Sequence, residues 1–414
     1  MANSDGQGGS AYPKSIQAGI PRLEVPEGWT APRIGKLFKV VKRPVGLADD
    51  EEYQLVTARR NRGGIVARER LRGKDILTKS QFRVAEGDFL ISRRQIAHGA
   101  CGIVPAELDG AIVSNEYAVL RPTDQLDRNF LRHLPHSIYF QQTCFHSSIG
   151  VHVEKLVFKI EDWWKWPIPV PSKTLQSSYA EILDQYDLAI AIADDLVDAT
   201  YRRLRSCIQK LDCEANGKKT ELTNFADKIS EKVVASTYAT SIELEDVEGR
   251  NGRILTQTPT GELSGDRARF AAGDTLFGKL RPYLRKFCRP EFDGEASTEF
   301  WVLRARPDLC RPEFLYYLVQ THAFLAEANR PTGSRMPRAD WEVVEQAPLP
   351  LPTIDRQDAL LPLLRSADLS HQNYLAIAER LRRYKNGVIQ RIFQQGSSGL
   401  FKAEHDKNLK REVA

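Results

Sequence analysis

Six cysteines are all that the 414 residues contain, and no two of them stand as C-x-x-C. That spacing gives neither a zinc site nor a disulfide framework, and a reducing cytosol fits it best. Long apolar runs are also missing: none approaches the roughly 20 residues of a membrane span. The opening "MANSDGQGGSAYPKSIQAG" has no apolar core of the signal-peptide kind and is expected to be a flexible tail. Neither sign of charge dominates. The 59 Lys and Arg exceed the 54 Asp and Glu by a net +5, which does not by itself mark a nucleic-acid partner. The familiar catalytic signatures are absent as well: there is no G-x-x-x-x-G-K-[ST], no H-E-x-x-H, no G-x-S-x-G and no G-x-G-x-x-G ahead of a helix. An Asn-Pro-Pro-aromatic motif of the kind amino-methylating enzymes carry is missing too. His98 and His152 have no counterpart in the second half of the chain. No set of side chains supports a catalytic assignment, and no metal site is expected.

What the chain does have is a duplication. "GDFLISRRQ" from Gly87 is answered by "GDTLFGKLRP" from Gly273, and "ELDG" (Glu107–Gly110) by "EFDG" (Glu291–Gly294). "SNEYAVLR" from Ser114 meets "STEFWVLR" from Ser297, and "FLRHL" from Phe130 meets "FLYYL" from Phe314. Gly150 lies opposite Gly333, and "WPIPVP" ending at Pro171 opposite "APLPLP" ending at Pro352. Six matches in the same order, about 183 residues apart, indicate a duplicated domain; the period is too long for a solenoid.

Each half closes on a long helix. After Pro171, Leu175, Tyr179, Ile182, Tyr186, Ala189, Ala193 and Leu196 alternate steps of three and four. After Pro352, Leu360, Leu364, Ala367, His371, Tyr374, Ala378, Leu381, Val388 and Ile392 do likewise, with Lys385 polar among the last of them. Sustained 3–4 spacing is the coiled-coil signature, and the proline runs mark sharp helix entries. Helices of about 38–40 residues, roughly 57–60 Å at 1.5 Å per residue, need a partner along their length, and each is the other's best match. "GIVARERLRG" and "GAIVSNEYAVLRP" carry β-rich runs between turns, while "LDRNFLRHLPHSIYFQQTCF" and "CRPEFLYYLVQTHAFLAEA" carry helical spacing. Trp163, Trp164 and Trp166 are expected to pack in a core or hinge.

The expected fold is therefore mixed α/β, with two similar globular domains separated by two long antiparallel coiled-coil helices in a pseudo-two-fold repeat. The boundaries are a tail over 1–21, a first domain over 22–171, a helix over 172–212, a linker over 213–220, a second domain over 221–352, a helix over 353–395 and a polar tail over 396–414.

Basic residues cluster at matching places in the two halves. From Ala58 to Arg94 there are eleven Lys and Arg against four acids, and "KLRPYLRKFCR" holds five with no acid. Cations give affinity for phosphate, whereas paired donors and acceptors read base edges. The candidate DNA-contacting residues are Arg59, Arg60, Arg62, Ser92, Arg93, Arg94, Gln95 and His98 in the first half. In the second they are Lys279, Arg281, Arg285, Lys286 and Arg335, the last placed by the Gly150–Gly333 match. A shared framework with a divergent basic segment is what two readers of different short sequences would look like.

On these motifs the chain resembles the specificity subunit of a type I restriction–modification system over nearly its whole length, from about Leu23 to Phe393. The resemblance rests on the paired Gly-Asp openings, on "SNEYAVLRP" with "STEFWVLRA", and on "PIPVP" with "PLPLPTIDRQ". A Glu-Gln pair usually follows the family's proline run. Asp355-Arg356-Gln357 keeps part of it, and "SKTLQSS" after Pro171 departs further.

The resemblance implies two target-recognition domains, each reading half of a split site in double-stranded DNA from the major groove, with the helices fixing the unread spacer. Half-sites read from one DNA face fall about 10–10.5 bp apart. It implies no cofactor and no catalysis in this chain, a cytoplasmic location and no membrane. Two modification subunits would bring S-adenosylmethionine and methylate adenine N6. Up to two restriction/translocase subunits would bring ATP and Mg²⁺. The helices, with Leu175, Tyr179, Ile182, Tyr186, Leu360, Leu364, Tyr374 and Leu381, would be the partner-binding elements. A methyltransferase or nuclease with a degenerate site, and a coiled-coil scaffold that binds only proteins, stay open at this level.

Overall fold

The computed structural model describes residues 23–152, 155–214, 219–234, 238–330 and 336–395. Its described residues form two compact units, one up to Ile190 and from Arg380 onward, the other Ala191–Glu379. The tails expected at 1–21 and 396–414 lie outside the described residues.

In the first unit, β1 (Phe38–Val40), β6 (Phe89–Ser92), β7 (Cys101–Ile103) and β9 (Tyr117–Pro122) form a four-stranded sheet in the order β1-β9-β6-β7. A five-stranded sheet in the order β2-β5-β8-β3-β4 combines β2 (Pro44–Val45), β3 (Glu52–Ala58), β4 (Ile65–Arg72), β5 (Gln81–Arg83) and β8 (Ile112–Ser114). Strand β6 is buried on both faces. Phe89 and Ile91 pack towards the helices, while Leu90 packs with Val56, Val113 and Val119 between the sheets. Two covered faces explain why this strand is a continuous apolar run and does not alternate. Helices α1 (Arg128–His133), α2 (Ile138–His146) and α3 (Ile160–Trp163) cover the outer face, and β10 (Ser148–Ile149) pairs with β11 (Val157–Phe158). Trp163 is fully buried there and donates its indole N–H to Thr143 Oγ1 at 3.1 Å. Helix α4 then runs from Lys173 to Glu214.

The second unit rebuilds the same topology. Its four-stranded sheet is β13 (Ala226–Ile229), β21 (Phe300–Ala305), β18 (Thr275–Gly278) and β19 (Phe287–Cys288), in that order. Its five-stranded sheet is β14 (Lys232–Val234), β17 (Asp266–Phe270), β20 (Gly294–Ala296), β15 (Thr240–Ile242) and β16 (Thr258–Pro259). Helices α5 (Pro312–Leu318), α6 (His322–Ala328) and α7 (Trp341–Val344) follow, and α8 spans Ile354–Gln395. The linker expected over 213–220 is shorter at both ends. Helix α4 continues to Glu214, and β12 (Thr220–Glu221) already pairs with β22 (Pro348–Leu349), leading to the buried Leu222.

Hydrogen bonding explains why the chain repeats its motifs. The aspartate of the first Gly-Asp pair, Asp88, is fully buried. It accepts from the Ala85 amide at 2.8 Å and pairs with Arg43 at 2.6 Å and with Arg121, the arginine closing "SNEYAVLR", at 2.7 Å. Asp274 likewise accepts from the Ala271 amide at 2.8 Å and takes both arms of Arg304, which closes "STEFWVLR", at 2.8 and 2.6 Å. The Asp-Gly pairs serve the same turns: Asp109 accepts from the Glu86 amide and Asp293 from the Ala272 amide, each at 2.8 Å. Gly87 and Gly273 have φ of +76° and +88°, which other residues adopt only with strain. The repeated residues are those whose polar groups close the framework.

Gln176 and Gln357 dock the two long helices by one scheme. Gln176 accepts from the Asp127 amide at 2.7 Å and donates to the Gln125 and Pro171 carbonyls. Gln357 accepts from the Arg311 amide at 2.8 Å and donates to the Leu309 and Pro352 carbonyls. The departure of "SKTLQSS" from the family pattern therefore leaves docking intact. The glutamine five residues after the last proline is kept, and it is the group that makes the contacts.

Within each unit the helix segments pack antiparallel. In the first, Tyr179 and Leu183 of α4 share a core with Ile389, Ile392 and Phe393 of α8. Lys385, on the apolar seam, pairs with Asp187, whose neighbour Asp184 takes Arg132 and the buried His133. In the second unit Leu204, Ile208 and Leu211 share a core with Leu361, Leu364 and Ala367. There the buried His371 meets Thr200 Oγ1 at 3.4 Å. Polar groups at seam positions fix register, because a shifted pairing strands a buried charge.

Burial keeps two histidines of the first unit neutral. His136 is pushed down to about 3, by burial first and then by Lys385, Arg62 and His133. Burial also lowers His133, against the opposing pull of Asp184. A base whose folded pKa is depressed contributes its full stability above the unfolded value of 6.5 and loses it as pH falls, because the unfolded chain takes the proton first. The first unit is thus expected to weaken as pH drops from 6.5 towards 3. His136→Gln should flatten that slope in a melting-temperature series against pH; an unchanged slope would count against this origin.

Candidate nucleic-acid interface

The turn between β3 and β4 (Arg59–Gly64) folds onto the short 3₁₀ turn Ile96–His98 that follows β6. The Asn61 amide donates to the His98 carbonyl at 2.7 Å and the Arg62 amide to the Gly99 carbonyl at 3.0 Å. Arg60 Nε donates to Gln95 Oε1 at 2.8 Å. A Cβ on Gly99, which has φ +77°, would sit 3.2 Å from the Arg62 amide nitrogen, so glycine permits the approach. Arg59, Arg60, Arg62, Arg94, Gln95 and His98, drawn from two segments more than thirty residues apart, therefore meet at one place.

These residues do not all offer their side chains equally. Arg59, Arg60 and Arg94 are exposed. Arg94 pairs with Glu116 at 2.6 Å across the surface, where an exposed bridge adds little to stability. Ser92 is buried at the end of β6. Arg93 is half-buried, its amide donating to the Glu116 carbonyl and its carbonyl accepting from Phe158. Ser92 and the Arg93 backbone thus belong to the framework.

In the second unit the corresponding turn follows β18. The 3₁₀ turn Pro282–Leu284 lies between Arg281 and Arg285, both in the left-handed region. The Lys279 amide donates to the Glu299 carbonyl, as Arg93 does to Glu116, and the Arg281 amide donates to Pro337. The side chain of Glu299 is taken bidentately by Arg338, at 3.1 and 3.2 Å. Lys286 is turned inward: its Nζ donates to the Leu244 carbonyl at 2.6 Å, and burial lowers its pKa. Its ammonium therefore holds the fold together instead of facing solvent. Arg335, with the rest of 331–335, lies outside the described residues.

The loop 248–253 docks on this turn through the Arg250 amide, which donates to the Arg285 carbonyl at 2.8 Å. Arg250 is not among the residues expected from sequence. The signal that could have found it is an arginine two residues ahead of a glycine, Arg250 before Gly252 as Arg62 before Gly64. Arg253 beside it is held by both oxygens of Glu379 at 2.9 and 3.1 Å.

Of the residues expected to bind partners, Tyr179 and Leu364 are buried within the chain's own units, and Leu175 and Leu360 pack against the same cores. Ile182, Tyr186, Tyr374 and Leu381 are half-buried. The larger exposed apolar side chains on the long helices are others: Leu188, Ile192 and Leu196 on α4, and Leu363, Leu369, Ile377 and Tyr384 on α8. The periodicity marks the stripe that faces the chain's own core, and the outward residues other than Leu196 fall between its members. Among the described residues no helix is long and apolar enough to cross a membrane.

A family model described as the type I restriction modification DNA specificity domain matches residues 26–197. Over 135 residues the chain is 24% identical to the type I restriction enzyme EcoDI specificity subunit of Escherichia coli; the match takes in 32% of this chain and 28% of that relative's length. Two solved structures share the fold. One is a chain solved for the structural basis of complex assembly and conformational transition of the type I R-M system, with TM-score 0.57, 16% identity, and coverage of 91% of this chain and 100% of that one. The other is the type I restriction-modification system S subunit from M. genitalium, with TM-score 0.55, 13% identity, and coverage of 90% and 98%. Residues 26–197 thus match the DNA specificity domain of type I restriction–modification systems, and the second half of the chain rebuilds the same topology.

Proposed function

We propose that this chain is the DNA-reading subunit of such a system, recognising a split site and directing adenine-N6 methylation by partner subunits. One observation carries the reading. The same basic loop-on-turn arrangement is built twice on one framework, with different side chains presented each time. Each unit would read one half-site, and the chain would contribute specificity and no catalysis. Two modification subunits would supply S-adenosylmethionine. Restriction subunits, where present, would supply ATP-driven translocation and Mg²⁺-dependent cleavage. The exposed Leu188 and Leu196 stand at the same 181-residue offset from Leu369 and Ile377 as Gln176 does from Gln357. That equivalence supports a matching pair of docking surfaces for two modification subunits.

The test is methylation sequencing of DNA from cells that make the chain with its methyltransferase partner, with Arg93→Ala/Arg94→Ala beside wild type. Wild type is expected to give a split motif with N6-methyladenine on opposite strands of its halves. The double variant should lose or alter the first half-site only. A cation lost from a phosphate weakens binding across all sequences and lowers the salt slope by about 1, whereas a lost base contact changes one position. Unchanged selectivity in the variant would count against the assignment.

A further inference from the structure

Among the described residues, five that are not glycine have positive φ: Asn61 (56°), Arg62 (60°), Arg250 (78°), Arg281 (51°) and Arg285 (53°). All five lie where a basic loop meets its 3₁₀ turn, and four of them are arginines. In this region a side chain meets a steric penalty that glycine escapes. Glycines stand immediately alongside, at Gly63, Gly64, Gly249 and Gly252. Arginine therefore occupies backbone positions that glycine would hold with less strain. Strain of this kind persists where the side chain carries a function.

Arg62 and Arg250 occupy the same place in the repeat. The Arg62 amide donates to Gly99, the left-handed cap of the turn Ile96–His98. The Arg250 amide donates to Arg285, the left-handed cap of the turn Pro282–Leu284. Gly99 and Arg285 are 186 residues apart, as are Asp88 and Asp274. Neither guanidinium has a carboxylate partner among the described residues, whereas Arg94, Arg253 and Arg338 nearby are paired with Glu116, Glu379 and Glu299. Arg62 is half-buried beside Cys101 and His136, and burial lowers its pKa; Arg250 is exposed. An arginine fixed at its backbone and unpaired at its head is pre-set for an acceptor from outside.

We propose that Arg62 and Arg250 are the paired specificity-determining residues of the two units, each presenting its guanidinium fork to a guanine edge in its own half-site. The inference rests on the DNA-specificity reading and names where each half is read. Arginine takes guanine O6 and N7 bidentately, and each such contact discriminates by about 1–3 kcal/mol, roughly 5- to 150-fold.

The test is selection from a random duplex library by the full chain assembled with its modification partner, using wild type, Arg62→Gly and Arg250→Gly, with melting temperatures for each. Arg62→Asn and Arg250→Asn are added because asparagine tolerates this φ while lacking the fork. The expected result is a split wild-type motif containing guanine in both halves. Arg62→Gly should lose guanine preference at one position of one half by roughly 5- to 150-fold, and Arg250→Gly at one position of the other half. The melting temperature should be unchanged or raised, since glycine relieves the strain. Failure of wild type to enrich any motif would sink the DNA-specificity reading itself. A wild-type motif that all four variants still select would overturn only the present inference. Uniform weakening with preferences intact would also overturn it, by assigning the arginines to phosphate.

Discussion

Asp88→Ala is expected to destabilise the first unit by about 3–5 kcal/mol, the usual cost of removing one partner from a buried ion pair. Asp88 is fully buried and holds two guanidinium groups, Arg43 on the segment after β1 and Arg121 on β9, as well as the Ala85 amide. Alanine leaves both charges facing each other across an apolar gap and strands the amide. Asp88→Asn keeps an acceptor but no compensating charge and should fall between. The matching change in the second unit, Asp274→Ala, should cost less, on the order of 2 kcal/mol. Its one arginine partner among the described residues, Arg304, has a side chain 46% exposed, against 28% for Arg121, and can return to water. Urea unfolding of the three variants measures this directly. A cost below about 1 kcal/mol for Asp88→Ala would show that the repeated Gly-Asp motif does not secure the sheet.

The helix-docking glutamines carry the second large effect. Gln357→Leu is expected to cost about 3 kcal/mol, because it strands the Arg311 amide and the Leu309 and Pro352 carbonyls at roughly 1 kcal/mol each. Gln176→Leu should cost a similar amount, through the Asp127 amide and the Gln125 and Pro171 carbonyls. Leucine nearly preserves volume, so the loss isolates the hydrogen bonds from packing. Hydrogen exchange provides a local readout: the Asp127 amide should lose protection in Gln176→Leu, and the Arg311 amide in Gln357→Leu. Gln→Glu keeps the acceptor and loses the donor, so it should protect the amide while still costing stability. Retained protection in the leucine variants would show that the prolines, and not the glutamines, set the helix entries.

The duplication was legible because its matched residues have fixed partners. Asp88 and Asp274 need an arginine and a turn amide, and those requirements are written in the motifs that repeat. The long helices were legible too, since an apolar stripe at 3–4 spacing leaves a local record. Which side of the stripe faces a partner left no such record. Tyr179 and Leu364 lie on the stripe and are buried in the chain's own cores, while Leu188 and Leu369 lie off it and are exposed. Gln176 was obscured because its neighbours differ from those of Gln357, although only its distance from the last proline matters to docking. Arg250 was obscured more thoroughly: its equivalence to Arg62 runs through a backbone amide and a left-handed φ, and neither depends on neighbouring side chains.

By itself the sequence determined the two-fold plan, the framework turns and the two long helices, because local hydrogen bonding and helical periodicity need only residues near in the chain or repeated in it. Only the tertiary structure decided which basic residues converge, which of them are spent on the fold, and which side chains face outward. Those choices depend on backbone groups far apart in sequence, such as Arg62 with Gly99 and Arg250 with Arg285, meeting at about 3 Å.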